Sequence, residues 1–216
     1  KIGCISNTQS SQQVPYSLKE YGIDSYFDPV VLSSVYGRRK PDPAIFYHAA
    51  RLAQVPTSAC IYIGDKVNRD ILGAQRAGFR AAIKIHHVYD NGEPDEGAEP
   101  DAHIENMLEL IPLIKQYLAQ DEQTARKANG HKVKAIFFDA GDILYHRPNK
   151  EQHFKAFLES HQLHQPAGFN EEKLRLKDLA FTGKISRHSY YEQVIRIFGI
   201  TDPGLIAEGV DAMNTD

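Results

Sequence analysis

Several features are scarce in these 216 residues. Only two cysteines occur, Cys4 and Cys60, each inside an apolar run. That pattern argues against a disulfide scaffold and a four-ligand zinc site, and it predicts a reducing, cytoplasmic setting. No uncharged apolar stretch approaches the roughly 20 residues needed to cross a bilayer. The opening residues KIGCISNT lack the charged and apolar regions of a secretory signal, so no membrane partner is expected. Neither sign of charge dominates: 25 Lys plus Arg stand against 28 Asp plus Glu, a net −3. The two signs are interspersed, which leaves no basic field for nucleic acid and no acidic tail. Apolar content is not scarce. At 42% hydrophobic and 10% aromatic residues, the chain has enough for one or two packed domains and too much for global disorder.

Short β-branched or aromatic runs alternate with helical periodicity, the pattern of a parallel sheet covered by helices. Strands are expected at residues 2–6, 30–33, 60–64, 81–85 and 133–138, and helices at 11–21, 43–53, 70–77 and 104–119. The fold class is therefore α/β, a Rossmann-like three-layer parallel sheet. The polar stretch QDEQTARKANGHK, residues 120–132, reads as a solvated linker. Beyond the next strand the period changes, with helices expected at 153–161, 171–181, 189–198 and 203–213 and turn residues between them. The expected organisation is an α/β core over 1–119, a linker over 120–132, a further core strand with its following turn over 133–146, and a small all-helical unit over 147–216.

Four strand ends carry the polar residues that phosphoryl transfer needs, and in open α/β sheets ligands bind outside the carboxyl ends of the strands. In AIFFDAGDILY, Asp139 follows an apolar strand and can serve as nucleophile or metal ligand. IGCISNT ends a strand with Ser6 and Asn7, both able to donate to phosphate oxygens. GRRKPDPAIF launches Lys40 from a proline-fixed helix start. IYIGDKVNRDILGAQRAGF places Asp65 and Asp70 around a loop entering a helix, a pair suited to a hard cation such as Mg2+. Each segment alone is also ordinary turn, cap or solvated-helix chemistry; the four together are not.

Together they resemble the motifs of the haloacid dehalogenase superfamily in its Mg2+-dependent phosphatase branch. FFDAGDIL is similar to the nucleophile motif, CISNT to the Ser/Thr motif, RKPDPAIF to the Lys motif and IGDKVNRDILGAQRAGF to the acidic metal motif, and the helical unit resembles that family's cap. The resemblance implies hydrolysis of a small phosphorylated substrate through an aspartyl-phosphate. Asp139 would be the nucleophile, and Ser6, Asn7 and Lys40 would bind phosphate. Mg2+ would be held by Asp139, the Gly141 carbonyl and Asp65, with Asp70 in support.

Two departures matter. The family carries a second Asp two positions after the nucleophile as general acid and base, whereas here that position is Gly141. Asp142 is one residue too far along, and His146 is a nearby proton source or an exposed hinge residue. The motif order is also permuted, with the nucleophile strand last and the helical unit after it. A permuted domain, a window across two tandem domains and residues out of biological order all remain open. A single domain requires the strand at 133–138 to insert between those at 2–6 and 60–64. The connecting helix missing from that arrangement would leave a bare apolar patch, and self-association is expected from it. A metal-independent 2-haloacid dehalogenase shares the Asp nucleophile but gains nothing from two further acids beside it. A catalytically silent relative or a phospho-receiver-type binding domain is the remaining alternative. Of the basic residues in the helical unit, Lys155, Lys173, Arg175, Lys177, Lys184 and Arg187 are candidates for the inner face of the cap or, equally, for solvated helix charges.

Overall fold

A computed structural model describes residues 1–86, 96–125, 132–145 and 151–216. Six parallel strands form one sheet: β1 (Ile2–Ser6), β2 (Val30–Leu32), β3 (Cys60–Gly64), β4 (Ala81–Ile85), β5 (Ala102–Ile104) and β6 (Ala135–Phe138), in the order β2-β1-β6-β3-β4-β5. The sixth strand takes the central slot expected of it. Cys4 lies opposite Phe138 on one side, and Ile63 lies opposite the same Phe138 on the other.

Both faces of the sheet are covered, which is why its inner strands read as continuous apolar runs. β3 is buried along its whole length. Alternate side chains take opposite faces: Cys60 and Tyr62 pack with Ile45, Phe46, Ile71 and Ala74, whereas Ile61 and Ile63 pack with Ile83 and Leu110. The first face is covered by α3 (Pro43–Leu52) and α4 (Leu72–Arg76). The second is covered by α1 (Gln13–Glu20), through Val14 and Leu18, and by α5 (Leu110–Ala125). A four-residue helix, α2 (Ser33–Tyr36), follows β2 directly and ends at Gly37 in the left-handed region, φ 84°.

Two boundaries differ from expectation. Ala102–Ile104 is an edge strand on β4 rather than the start of a helix; Asn106 then accepts from Leu108 N at 3.0 Å and opens the following turn. The helix expected to stop at residue 119 continues to Ala125, into the segment read as linker. The Gln, Glu and Ala in that stretch are good helix formers, so its polarity does not end the helix. Asp121 is buried, pairs with Arg80 at 3.2 Å and accepts from Val133 N at 2.9 Å, tying the helix to the approach of β6. The remainder of that segment, residues 126–131, and His146 lie outside the described residues.

Residues 151–216 build a second apolar centre of their own from α6 (Gln152–Ser160), α7 (Phe169–Phe181), α8 (Arg187–Arg196) and α9 (Pro203–Thr215). Asp202 accepts from Leu205 N at 2.8 Å with Pro203 in the first turn, and Ser186 accepts from Ser189 N at 3.0 Å, so two of these helices start on side-chain caps. Phe154, Phe157, Leu176, Val194, Ile195 and Val210 fill the centre. Among the described residues, no helix is long and apolar enough to cross a membrane.

Candidate phosphoryl-transfer site

Strand ends position the site. Asp139 is the first residue past β6, with its backbone N–H donating to Ile63 O at 3.0 Å, and Asp65 is the first residue past β3. Ser6 closes β1 and is buried. Adjacent strands lie about 4.8 Å apart, so three residues distant in sequence become neighbours. Lys40 arrives from the loop before α3 and is only 1% exposed. Its entry is fixed by a reciprocal pair: the Asn7 amide donates to Lys40 O at 3.1 Å, and Lys40 N–H donates to Asn7 Oδ1 at 2.9 Å. Asn7 thus pins the lysine loop to the end of β1.

Lys40 Nζ lies 2.9 Å from Asp139 Oδ1, 2.7 Å from Asp70 Oδ1 and 2.8 Å from Tyr62 Oη, so its three N–H donors have three oxygen acceptors. Asp70 sits in a wide turn spanning Val67–Ile71, where Ile71 N–H donates five residues back to Lys66 O at 3.3 Å. This turn replaces the regular helix start expected at residue 70. It carries the Asp70 carboxylate inward against Gly64, where an added Cβ would collide with the Asp70 side chain. The glycine of the IGD segment is there for that approach.

Arg69 completes the cluster, and sequence reasoning missed it. Its Nη2 lies 3.2 Å from Asp65 Oδ1 and 3.2 Å from Asp139 Oδ2, and its Nε lies 3.4 Å from Asp70 Oδ2. The available signal was its position, four residues after Asp65 and one before Asp70, in a segment whose acids stand out more than its arginines. Charge dictates the local acidities. Burial pushes the Asp65 carboxyl up, and Asp70 nearby adds to the rise. Burial also opposes ionisation of Asp70, but Lys40 and Arg69 outweigh it and hold that carboxyl below its ordinary value. Tyr62, in the same dry layer, is pushed well above the usual phenol range by burial and by Asp70.

One oxygen from each of Asp65, Asp70 and Asp139 lies within 4.8 Å of the others. An all-carboxylate set of this compactness suits a hard, oxygen-preferring divalent cation, so the residues fit the metal the sequence implied. Gly141 follows two residues after Asp139 and bridges to Tyr145, while Asp142 turns the chain in the left-handed region at φ 64° with its N–H donating to Tyr145 O at 2.8 Å. The cluster opens through Asn7 and Arg69 onto a cavity of about 460 Å³ whose other wall is helical, with Lys173, Lys177 and Arg187 among its lining.

A family model for haloacid dehalogenase-like hydrolases matches residues 1–78. Among curated proteins, a glyceraldehyde 3-phosphate phosphatase of Methanopyrus kandleri is 34% identical over 122 residues, covering 56% of this chain and 52% of that one. A phosphoglycolate phosphatase of Photobacterium profundum is 30% identical over 111 residues, covering 51% and 48%. An N-acylneuraminate-9-phosphatase of Mus musculus is 33% identical over 93 residues, covering 42% and 36%. The chain spans about half the length of the first two relatives it matches. With an Asp, a Lys and an acidic pair gathered at the carboxyl ends of a parallel sheet, the α/β part of the chain is similar, over residues 1–78 in the family model and over about half the length of the first two relatives, to the haloacid dehalogenase-like hydrolases.

Proposed function

We propose that the intact protein hydrolyses small phosphate monoesters with Mg2+, through a phosphoryl group carried transiently on Asp139. The observation that carries this reading is the placement of the Asp139 carboxylate. One oxygen is paired with buried Lys40, and the other is paired at 3.2 Å with Arg69, which lines the cavity, beside Asp65 and Asp70. Lys40 pairs with Asp139 at 2.9 Å and offers positive charge to the equatorial phosphate oxygens, together with Ser6 and Asn7. Asp139, Asp65 and the Gly141 carbonyl would hold the cation, with Asp70 in support. Bound there, it supplies Lewis-acid neutralisation of the phosphate oxygens.

In the first half-reaction an Asp139 oxygen bonds to phosphorus as the ester P–O bond breaks. In the second, water adds to phosphorus, the bond to Asp139 breaks, and inorganic phosphate leaves. Gly141 has no side chain to protonate the departing oxygen, so leaving groups that need little protonation are favoured. In this reading residues 1–119 and 133–146 act as the catalytic core, 147–216 act as the cap that closes over the substrate, and the setting is cytoplasmic.

The test is turnover of p-nitrophenyl phosphate with Mg2+ and after its removal by chelation, for wild type and Asp139→Asn. Metal-dependent activity that falls by about 10³-fold or more in Asp139→Asn is expected from loss of a covalent nucleophile. Retention of most of that activity by the variant overturns the mechanism.

A further inference from the structure

The cap half of the cavity is charged in a patterned way. Asn170, Lys173, Leu174, Lys177 and Phe181 line the cavity, and their spacings of three and four residues make one continuous stripe of α7. Both α7 lysines that line the cavity lie on that stripe, whereas the acids of the helix lie elsewhere. Glu172 pairs with Arg175 at 2.6 Å, and Asp178 pairs with Arg39 of the core at 2.6 Å. At the start of α8, Arg187 also lines the cavity and spends one of its five N–H donors, Nε, on Tyr191 Oη at 2.8 Å.

Two carboxylates reach the lining, and both are engaged. Asp216 accepts from His153 N at 2.8 Å and Phe154 N at 3.0 Å, and Glu151 forms an exposed pair with Lys173 at 3.2 Å. Such a pair is weak and easily exchanged for a better anion. Lys155, Arg175 and Lys184 are absent from the lining, so the six basic candidates of the helical unit divide into three that face the cavity and three that do not.

We infer that the substrate carries a second anionic group, a carboxylate or a second phosphate, at the end opposite the phosphate that is released, and that Lys177 and Arg187, with Lys173, receive it. A cavity of about 460 Å³ limits the compound to a small molecule. The inference rests on the proposed phosphatase reading for which phosphate is cleaved, but the cations it invokes, Lys173, Lys177 and Arg187, all lie outside the 1–78 segment that matches the family.

Asp139→Asn, which removes the nucleophile, allows binding to be read without turnover. Calorimetry with Mg2+ present compares phosphoglycolate with ethyl phosphate, and propane-1,3-diol bisphosphate with propyl phosphate, so that the carboxylate and phosphate sources are separated. The dianionic-ended member of at least one pair is expected to bind ten times more tightly or better. Adding Lys177→Met and Arg187→Met should erase that preference and leave ethyl phosphate within twofold, whereas adding Lys155→Met instead should leave the preference unchanged. Equal affinity within both pairs, or a preference that survives the double substitution, overturns the inference. The same pairs are run as substrates of the wild type. Absence of turnover on every monoester there, with the binding preference intact, counts against the phosphatase reading alone.

Discussion

Two ionic neighbourhoods face each other across the cavity, and they are built from the same residue types to opposite ends. On the core side, three carboxylates and Lys40 lie in a dry layer, with Lys40 and Asp70 both lacking side-chain exposure and Arg69 at its edge toward the cavity. On the helical side, Arg175 with Glu172, Lys155 with Glu159 and Lys173 with Glu151 are pairs in which at least one partner is mostly exposed. In water, a pair is screened and worth little; in the dry layer, any group left without its partner is costly. The lesson is that burial, not residue type, separates charges that hold chemistry from charges that hold solvent.

Substitutions can break this contrast. The largest effect is expected from Lys40→Met, which leaves Asp70 and Asp139 facing one another without their shared cation; removal of one partner from such a group costs about 3–5 kcal/mol, measured as a lower urea midpoint. Next comes Gly183→Ala, at the join between the two regions. Gly183 has φ +68° and an added Cβ would meet the Ser34 carbonyl oxygen, so a cost of at least about 1–2 kcal/mol is expected from the backbone alone. The helical unit and the sheet should also separate more readily, seen as faster proteolysis between α7 and α8.

Arg69→Gln sharpens the comparison. Lys40 and Arg69 supply two positive charges against three carboxylates, whereas Lys40 and a divalent cation supply three. Arg69, its side chain 32% exposed, occupies the same oxygens a cation needs. Its removal should therefore tighten Mg2+ binding about tenfold in calorimetry, or about 1.4 kcal/mol; unchanged affinity would show that the guanidinium does not compete.

Asp65→Asn tests the same layer by pH. Because the Asp65 carboxyl is raised in the folded state, chiefly by burial and then by Asp70, its ionised form disfavours folding once the pH rises past that raised value. The variant should melt higher than wild type at pH 7, and the gain should vanish as the pH falls below the ordinary carboxylate range near 3.8. The smallest effect is expected from Arg175→Ala, whose exposed pair with Glu172 should leave the urea midpoint unchanged.

What the sequence disclosed follows the same division. Strands buried on both faces announce themselves as apolar runs, and the acids and lysine that end them stand out by type, so Asp139, Asp65, Asp70 and Lys40 were legible before any coordinates. Arg69 was not, because its meaning depends on a wide turn that brings it back over Asp65, and nothing in the pattern VNRDI distinguishes that turn from an ordinary helix start. The edge strand Ala102–Ile104 was lost for the opposite reason: three residues are too few to show a period. The extension of α5 was hidden because Asp121 reads as solvent-facing until Arg80 and Val133 are known to meet it.

The central position of β6 sets how the site comes into being. Its neighbours β1 and β3 begin more than 130 and about 75 residues earlier in the chain, so their pairings are non-local and slow to close in loop-entropy terms. Until β6 docks, β1 and β3 present unpaired inner edges, and Asp139 is absent from the cluster it completes. The proposed nucleophile is thus delivered by the same event that closes the sheet. During refolding, the proposed phosphatase activity is expected to return no earlier than full sheet protection against hydrogen exchange, and no partly folded form should carry it.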